Sequence, residues 1–142
     1  MTEKDLEAVV KFSFGVYFPK CHALWKHHAD EFSGAGHPDF YGHVRGQYLA
    51  LELKVSKNYF SPAQRARLSL IQQTGGLAFG LLYMRDTEEG YLLAPEVIET
   101  FSYKDKSRWI RLLPRPVPGF SKTKMALDLS ILESVITQRS SK

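Results

Sequence analysis

A chain of 142 residues can bury one hydrophobic core and is too short to divide readily into two domains. Its 44% hydrophobic and 13% aromatic residues exclude a disordered or fibrous protein, and its single cysteine, Cys21, excludes an internal disulfide framework. The 19 Lys and Arg against 15 Asp and Glu give a net charge of +4, which favours a polyanionic partner such as nucleic acid. Without a leader-like or membrane-spanning apolar run, we expect a cytoplasmic protein with no membrane partner.

The first part of the chain predicts one helix and one less certain strand. Thr2 and Asp5 form a helix-start pattern, and apolar residues at helical spacing follow, so we expect a helix over 3–14 that ends at Gly15. Residues 16–42 are rich in His, aromatic side chains and Gly. One strand is expected within that stretch.

Residues 46–55 alternate in the manner of a strand, so that two sets of side chains fall on opposite faces. One face carries the apolar residues Leu49, Leu51, Leu53 and Val55. The other carries Tyr48, Ala50, Glu52 and Lys54. The pattern therefore predicts that Glu52 and Lys54 project side by side.

The second part of the chain continues the alternation of helices and strands. Ser61 and Pro62 predict the start of a helix that ends at Gly75 and Gly76. Further predictions are strands over 77–84, 91–93 and 109–113, a helix from 95 to about 104, and a closing amphipathic helix over 125–138. This order indicates an α/β fold over 1–142, a single domain with a mixed central β-sheet flanked by helices.

Three residues form a constellation suited to phosphodiester hydrolysis: Asp39, near a Gly-rich bend, and Glu52 and Lys54, which follow after a return of 13 residues (52 minus 39). Two carboxylates provide the hard oxygen ligands that Mg²⁺ prefers, and the carbonyl of Leu53 between the catalytic side chains is a plausible further ligand. Lys54 is placed to orient the attacking water or to stabilise the developing negative charge. The pattern predicts a metal-dependent hydrolase.

Each of these residues also has a structural explanation when taken alone. Asp39 after Pro38 is an ordinary turn residue, and Glu52 with Lys54 is compatible with a solvated strand face. A glutamate in the middle of a sheet, however, is uncommon without a partner or a metal. The conjunction of the three favours the functional interpretation.

Pro38-Asp39 and Glu52-Leu53-Lys54 resemble the signature of the PD-(D/E)XK nucleases, and the resemblance is greatest to the RecU-type Holliday-junction resolvases. It extends over about residues 36–103. The resemblance implies a restriction-endonuclease-like core and a homodimer that cuts branched DNA with Mg²⁺, for which Mn²⁺ can substitute.

The same resemblance implies further site residues. A carboxylate of the first helix lies near the metal in that family, for which we choose Glu7, with Glu3 in reserve. Many members carry a glutamine on the helix after the lysine strand, which here is Gln64, although Gln64 also completes a capping box with Ser61. A lysine before the motif corresponds to Lys26.

Several basic residues and one histidine are candidates for DNA contacts that position the duplex without reading its sequence. Ordinary solvated charges remain the alternative for most of them. The candidates are Lys26, His37, Arg45, Lys57, Arg65 and Arg67. The five histidines, which cluster before residue 44, fit no familiar zinc spacing.

One departure from the RecU pattern keeps other functions open. The projecting stalk of that family would have to fit between about Asp30 and Gly36. A flap- or end-directed replication and repair nuclease of the same superfamily is therefore an alternative to a junction resolvase. A non-catalytic nucleic-acid-binding module and a restriction-type duplex nuclease are the others.

Overall fold

The computed structural model describes residues 1–26, 38–56, 59–119 and 121–140. His37 and Lys57 lie outside these ranges. The helices are α1 (Glu3–Tyr17), α2 (Pro62–Gln73), α3 (Pro95–Glu99) and α4 (Ile131–Ser140). The strands are β1 (His22–Lys26), β2 (Phe40–Val44), β3 (Gln47–Val55), β4 (Leu77–Met84), β5 (Glu89–Leu93), β6 (Ile110–Leu112), β7 (Pro114–Val117) and β8 (Lys124–Leu127).

A six-stranded sheet in the order β1-β2-β3-β4-β5-β6 forms the centre of the fold. Strands β3 and β4 run parallel, and every other neighbouring pair in this sheet is antiparallel. Helix α2 provides the crossover that a parallel pair requires. The predicted α/β fold with a mixed sheet flanked by helices is confirmed. Within the described ranges, no helix is both long and apolar enough to traverse a bilayer.

Side chains from the two faces of the sheet enter two hydrophobic clusters. Leu49, Leu51, Leu53 and Val55 of β3 pack in the cluster that holds the apolar side of α1 and residues of α4. The opposite face packs against α2 and α3 through residues such as Leu82. The predicted alternation along β3 is confirmed, because Glu52 lies between two residues of the first cluster and must point to the α2 side.

A two-residue turn joins β2 to β3. Val44 pairs with Gln47, and the two residues between them, Arg45 and Gly46, have φ values of +49° and +80°. Two positive φ values in a row are those of a type I′ turn, whose twist matches that of the flanking strands. The turn therefore sets the register between β2 and β3.

The ends of two predicted helices differ from the structure, and one strand was not predicted. Helix α1 runs through Gly15 to Tyr17, because buried Phe14 and Phe18 continue the apolar side of the helix. Helix α3 ends at Glu99 and does not reach residue 104. Strand β2 (Phe40–Val44) begins inside the stretch 16–42, where only one strand, now seen as β1, was expected, and runs two residues past its end.

The closing helix was predicted to begin too early. Lys124–Leu127 is a strand that pairs with Pro114–Val117, and only Ile131–Ser140 is helical. The Leu127 N–H donates to the buried Ser13 Oγ at 2.9 Å, which ties this strand to α1. Tertiary contacts thus outweigh the helical spacing of the apolar residues.

Candidate active site

Strand register brings Asp39 beside Glu52. Strand β2 pairs Phe40 with Leu51, so the residue before Phe40 is aligned with the residue after Leu51, and such neighbours share a face. Asp39 Oδ2 accepts a hydrogen bond from the Leu53 N–H at 2.7 Å. Because β2 begins only at Phe40, the aspartate supplies an acceptor where the β2 ladder has ended. The carboxylate is thereby fixed at the end of the strand pair.

Glu52 is a buried carboxyl group whose side-chain oxygens differ in their partners. The residue is 3% exposed, and its Oε1 accepts a hydrogen bond from Gln64 Nε2 at 2.8 Å. Its Oε2 is buried and has no hydrogen-bond partner among the described residues. Burial, with the nearby Asp39 carboxylate adding to it and Lys54 opposing it, raises the pKa of Glu52 to about 9. Near neutral pH Glu52 therefore holds a proton unless a cation takes its place.

Lys54 lies two residues beyond Glu52 on the same strand face. Its Nζ sits over the ring of Phe60, 5.8 Å from the centroid. Its positive charge opposes the rise in the pKa of both Glu52 and Glu3. The predicted trio of Asp39, Glu52 and Lys54 is thus brought together at one place.

Gly80, which the sequence analysis missed, makes room for this arrangement. It pairs with Glu52 across the parallel β3 and β4 strands. A Cβ atom at Gly80 would lie 2.6 Å from Phe60 Cζ and 2.9 Å from Ile98 Cδ1. A glycine inside an otherwise apolar strand is a known sign of close approach and was the available signal.

Gln64 both completes the helix cap and contacts the candidate site, the two roles considered for it from the sequence. Its backbone N–H donates to Ser61 Oγ at 3.1 Å, and its Oε1 accepts from the Ser61 N–H at 2.8 Å, which completes the capping box. The Nε2 of the same amide reaches Glu52. The helix cap therefore also orients the side chain that holds the buried glutamate.

The two carboxylates of the first helix have different surroundings. Glu7 Oε2 forms an ion pair with Lys26 Nζ at 2.9 Å. Lys26 aligns with Phe40, a residue of the cluster that holds α1, so this pair lies on the α1 side of the sheet. Burial raises the pKa of Glu3, and Asp39 is the next largest cause. Of the two, Glu3 is the one with a clear electrostatic link to Asp39.

The other predicted DNA contacts are placed as follows. Arg45 lies in the β2–β3 turn, where its Nε bonds to Glu133 Oε2 at 2.6 Å. Arg65 and Arg67 are half-buried on α2. Burial raises the pKa of the Tyr48 phenol on β3, and the charge of Arg67 partly opposes that rise.

The two carboxyl groups of the candidate site can provide some of the ligands of a hard divalent ion. Within the described residues, no group of three or more His, Cys, Asp or Glu is arranged to hold a metal. Mg²⁺, however, commonly binds through one or two carboxylates and keeps several waters. Asp39 and Glu52 offer two such groups, and Glu52 Oε2 is a buried oxygen that a cation would satisfy.

No protein-family model and no curated protein sequence matches this chain. Solved structures that are similar to it include the following two. One is Hjc, a Holliday junction resolvase from the archaeal hyperthermophile Archaeoglobus fulgidus, with 17% identity, 93% of this chain and 89% of that chain covered, and a TM-score of 0.47. The other is the bacterial homing endonuclease I-Ssp6803I, with 13% identity, coverage of 99% and 96%, and a TM-score of 0.47. At this level of similarity, the chemistry of the site has to be inferred from its own residues.

Proposed function

We propose that this protein is a metal-dependent endonuclease that hydrolyses phosphodiester bonds in DNA. The observation that carries the proposal is the buried Glu52 beside Asp39, with Lys54 on the same strand face and one glutamate oxygen lacking a donor. Such a group has a high free-energy cost unless a proton or a cation satisfies it. A cation site next to a lysine is suited to a scissile phosphate.

Asp39 and Glu52 would hold Mg²⁺, or Mn²⁺ in its place, with the carbonyl of Leu53 as a further ligand. When bound, the ion would supply Lewis acidity and a water of lowered pKa. Lys54 would hold positive charge against the phosphate or orient the attacking water. Gln64 would keep Glu52 in one rotamer through its hydrogen bond to Oε1.

A non-catalytic DNA-binding module is less well supported by this geometry. The Asp39 carboxylate, and Glu52 once it is ionised, repel a phosphate unless a cation lies between them. The Asp39 and Glu52 carboxyl groups would not help a surface that only binds DNA, whereas a hydrolase can use them to hold a metal ion. The intact lysine beside them points the same way.

The resemblance to RecU-type resolvases supports a homodimer acting on a four-way junction. The connection between β1 and β2 supports a second candidate, a flap- or end-directed nuclease. Strand β1 ends at Lys26 and β2 begins at Phe40, so 13 residues (40 minus 26 minus 1) separate the strands. That length leaves little room for a projecting stalk.

The test is a cleavage panel of labelled four-way junctions, flaps, single strands and linear duplex, each with Mg²⁺, Mn²⁺ or EDTA. We expect cleavage of at least one substrate that requires the divalent ion. Glu52→Gln should lower the rate about 100-fold or more, since it removes a metal ligand while keeping the shape.

Glu88→Gln is the charge-matched control, because Glu88 is exposed in the turn between β4 and β5. It should cut like the parent. Binding of DNA without cleavage of any substrate in either ion would show a binding module instead. Equal rates for Glu52→Gln and the parent would place the activity elsewhere.

A further inference from the structure

Four ring side chains form an exposed row on the β1-β2-β3 end of the sheet. We call Trp25, Tyr41, His43 and Tyr48 the aromatic row. Trp25 is 50% exposed, Tyr41 38% and Tyr48 40%, whereas most of the large apolar side chains of β3 and β4 are fully buried. Neighbouring rings are in contact, with centroids 6.0 Å apart for Trp25 and Tyr41 and also for His43 and Tyr48.

The register explains why these rings form one surface. Trp25 aligns with Tyr41, and His43 aligns with Tyr48, so each pair shares a face of the antiparallel ladder. Tyr41 also aligns with Ala50, which precedes Glu52 by two residues on the same face. One end of the row therefore lies next to Asp39 and Glu52, since the two-residue step from Ala50 to Glu52 covers about 7 Å along the strand.

Helix α2 borders the row and supplies a positive charge. A Cβ atom at Gly76, three residues after the end of α2, would lie 3.1 Å from Tyr48 Cδ1 and 2.8 Å from Ile71 Cγ2, so the tyrosine ring lies beside the last turn of the helix. The Arg67 guanidinium, one helical turn before Ile71, acts electrostatically on the same tyrosine. The row itself contains no acidic residue. A ligand for this surface would therefore combine flat rings with negative charge.

We propose that the aromatic row binds unpaired nucleotides of the DNA substrate by base stacking and directs that strand toward Asp39 and Glu52. The inference rests on the proposed nuclease function and narrows its substrate class to DNA with a single-stranded segment beside the cleavage point. Bases stack on exposed aromatic side chains with little regard for sequence, and arginine neutralises the accompanying phosphates. Bases within a duplex keep their faces covered and cannot use such a surface.

The two tryptophans of the chain provide a direct probe. Trp25 is half exposed, whereas Trp109 is 8% exposed and stacks on Phe101. A (dT)₁₂ strand added in EDTA should therefore quench the fluorescence of Trp25 selectively, and Trp25→Leu should abolish most of the quenching. EDTA prevents cleavage, so binding is measured independently of activity.

Affinity is measured by anisotropy of labelled (dT)₁₂ and of a duplex of equal length. Trp25→Leu and Tyr48→Leu keep apolar bulk but remove the ring face, and each should weaken (dT)₁₂ binding about 10-fold or more. Duplex binding should change less than 3-fold. Met125→Leu, at an exposed residue of the separate β7-β8 sheet, is the control and should bind like the parent.

Several results would overturn the stacking proposal: no binding of (dT)₁₂ by the parent, unchanged affinity in both leucine variants, or an equal loss of duplex binding. A change in sedimentation of the DNA-free variants, with (dT)₁₂ affinity retained, would instead identify the row as a self-association surface. If the parent cleaves DNA and the variants bind (dT)₁₂ normally, only the row proposal fails. If the variants lose binding but no DNA is cleaved in any ion, the row stands and the nuclease function fails.

Discussion

Asp39 Oδ2 accepts a hydrogen bond from the Leu53 N–H at 2.7 Å, and this contact joins the end of β2 to the strand that carries Glu52. The aspartate thus has two consequences that mutation can separate. It completes the hydrogen bonding of the sheet end, and it places a negative charge beside a buried glutamate.

Asp39→Asn and Asp39→Ala should differ in stability and agree in activity. Asparagine keeps an oxygen acceptor for the Leu53 N–H, whereas alanine leaves that donor unpaired at a cost of about 1–3 kcal/mol. Both variants lack the carboxylate, so both should lose metal-dependent cleavage. Urea unfolding and cleavage rates are the measurements, and equal stabilities for the two variants would contradict the role of the hydrogen bond.

The stability of the metal-free protein should fall as the pH rises from about 4.5 to about 9. The pKa of Glu52 is raised from 4.5 to about 9 in the folded state, so the folded protein binds a proton that the unfolded chain releases. That stabilisation is complete below pH 4.5 and is lost as the pH approaches 9. Urea unfolding in EDTA across this range measures it.

Glu52→Gln is the control for this pH dependence, because glutamine cannot titrate. The variant should have a flatter profile and should exceed the parent in stability near pH 8. Mg²⁺ should stabilise the parent more than the variant at that pH, with proton release detectable by calorimetry in buffers of different ionisation enthalpy. An identical slope in both proteins would exclude Glu52 as the titrating group.

Gln64→Glu and Gln64→Ala should separate the contribution of the helix cap to stability from the hydrogen bond that Gln64 donates to Glu52. A glutamate can still accept the Ser61 N–H and preserve the cap, but it replaces the amide donor with a third carboxylate beside Glu52. Alanine loses both contacts, and loss of the cap should cost about 0.5–2 kcal/mol. We expect Gln64→Glu to unfold like the parent near pH 5 and yet cleave at least 10-fold more slowly. Normal cleavage by Gln64→Glu would remove the positioning role.

Gly80→Ala should disturb the site through packing. The added methyl would lie 2.6 Å from the buried Phe60 ring, over which Lys54 Nζ sits. Such overpacking costs about 1–3 kcal/mol, and any displacement of the ring changes the contact beneath the lysine. Gly90→Ala is the matched control, since its nearest contact is the flexible Leu127 side chain at 3.3 Å. Similar stability and cleavage in the two variants would show that the Phe60 contact is unimportant.

Glu3→Gln should weaken Mg²⁺ binding more than Glu7→Gln. Burial and, after it, the charge of Asp39 raise the pKa of Glu3, whereas the Glu7 carboxylate is paired with Lys26. Titration calorimetry with Mg²⁺ compares the affinities, and urea unfolding detects any cost of breaking the Glu7 ion pair. A larger loss of affinity in Glu7→Gln would instead support Glu7, the residue chosen from the sequence.

Elements whose position depends mainly on nearby residues were predicted from the sequence. The strict alternation from Leu49 to Val55 identified β3 and its two faces, and Ser61 with Pro62 identified the start of α2. Lys124–Leu127 could not be found in this way, because its strand pairing with a proline-rich segment depends on distant residues. Strand β2 was not predicted because Gly42 interrupts its alternation. The structure explains this glycine, since a Cβ atom there would lie 1.9 Å from the Ala23 carbonyl oxygen.

The candidate site shows the same division. The return of 13 residues from Asp39 to Glu52, with Lys54 on the same strand face, was enough to predict that the three residues lie close together. The link of Glu3 to Asp39, the pairing of Glu7 with Lys26 and the space provided by Gly80 depend on how helices and strands pack. The metal-binding and catalytic roles of these residues stay predictions.

The two-residue turn at Arg45 and Gly46 also determines which residues of β2 and β3 face each other at the candidate site. Its midpoint lies six and a half residues from both Asp39 and Glu52, so the register that the turn sets aligns the two acids across the ladder. A single inserted residue would send one of the pair to the far side of the pleated surface. Engineered insertions at this hairpin should therefore be far more damaging than its solvent-exposed position suggests.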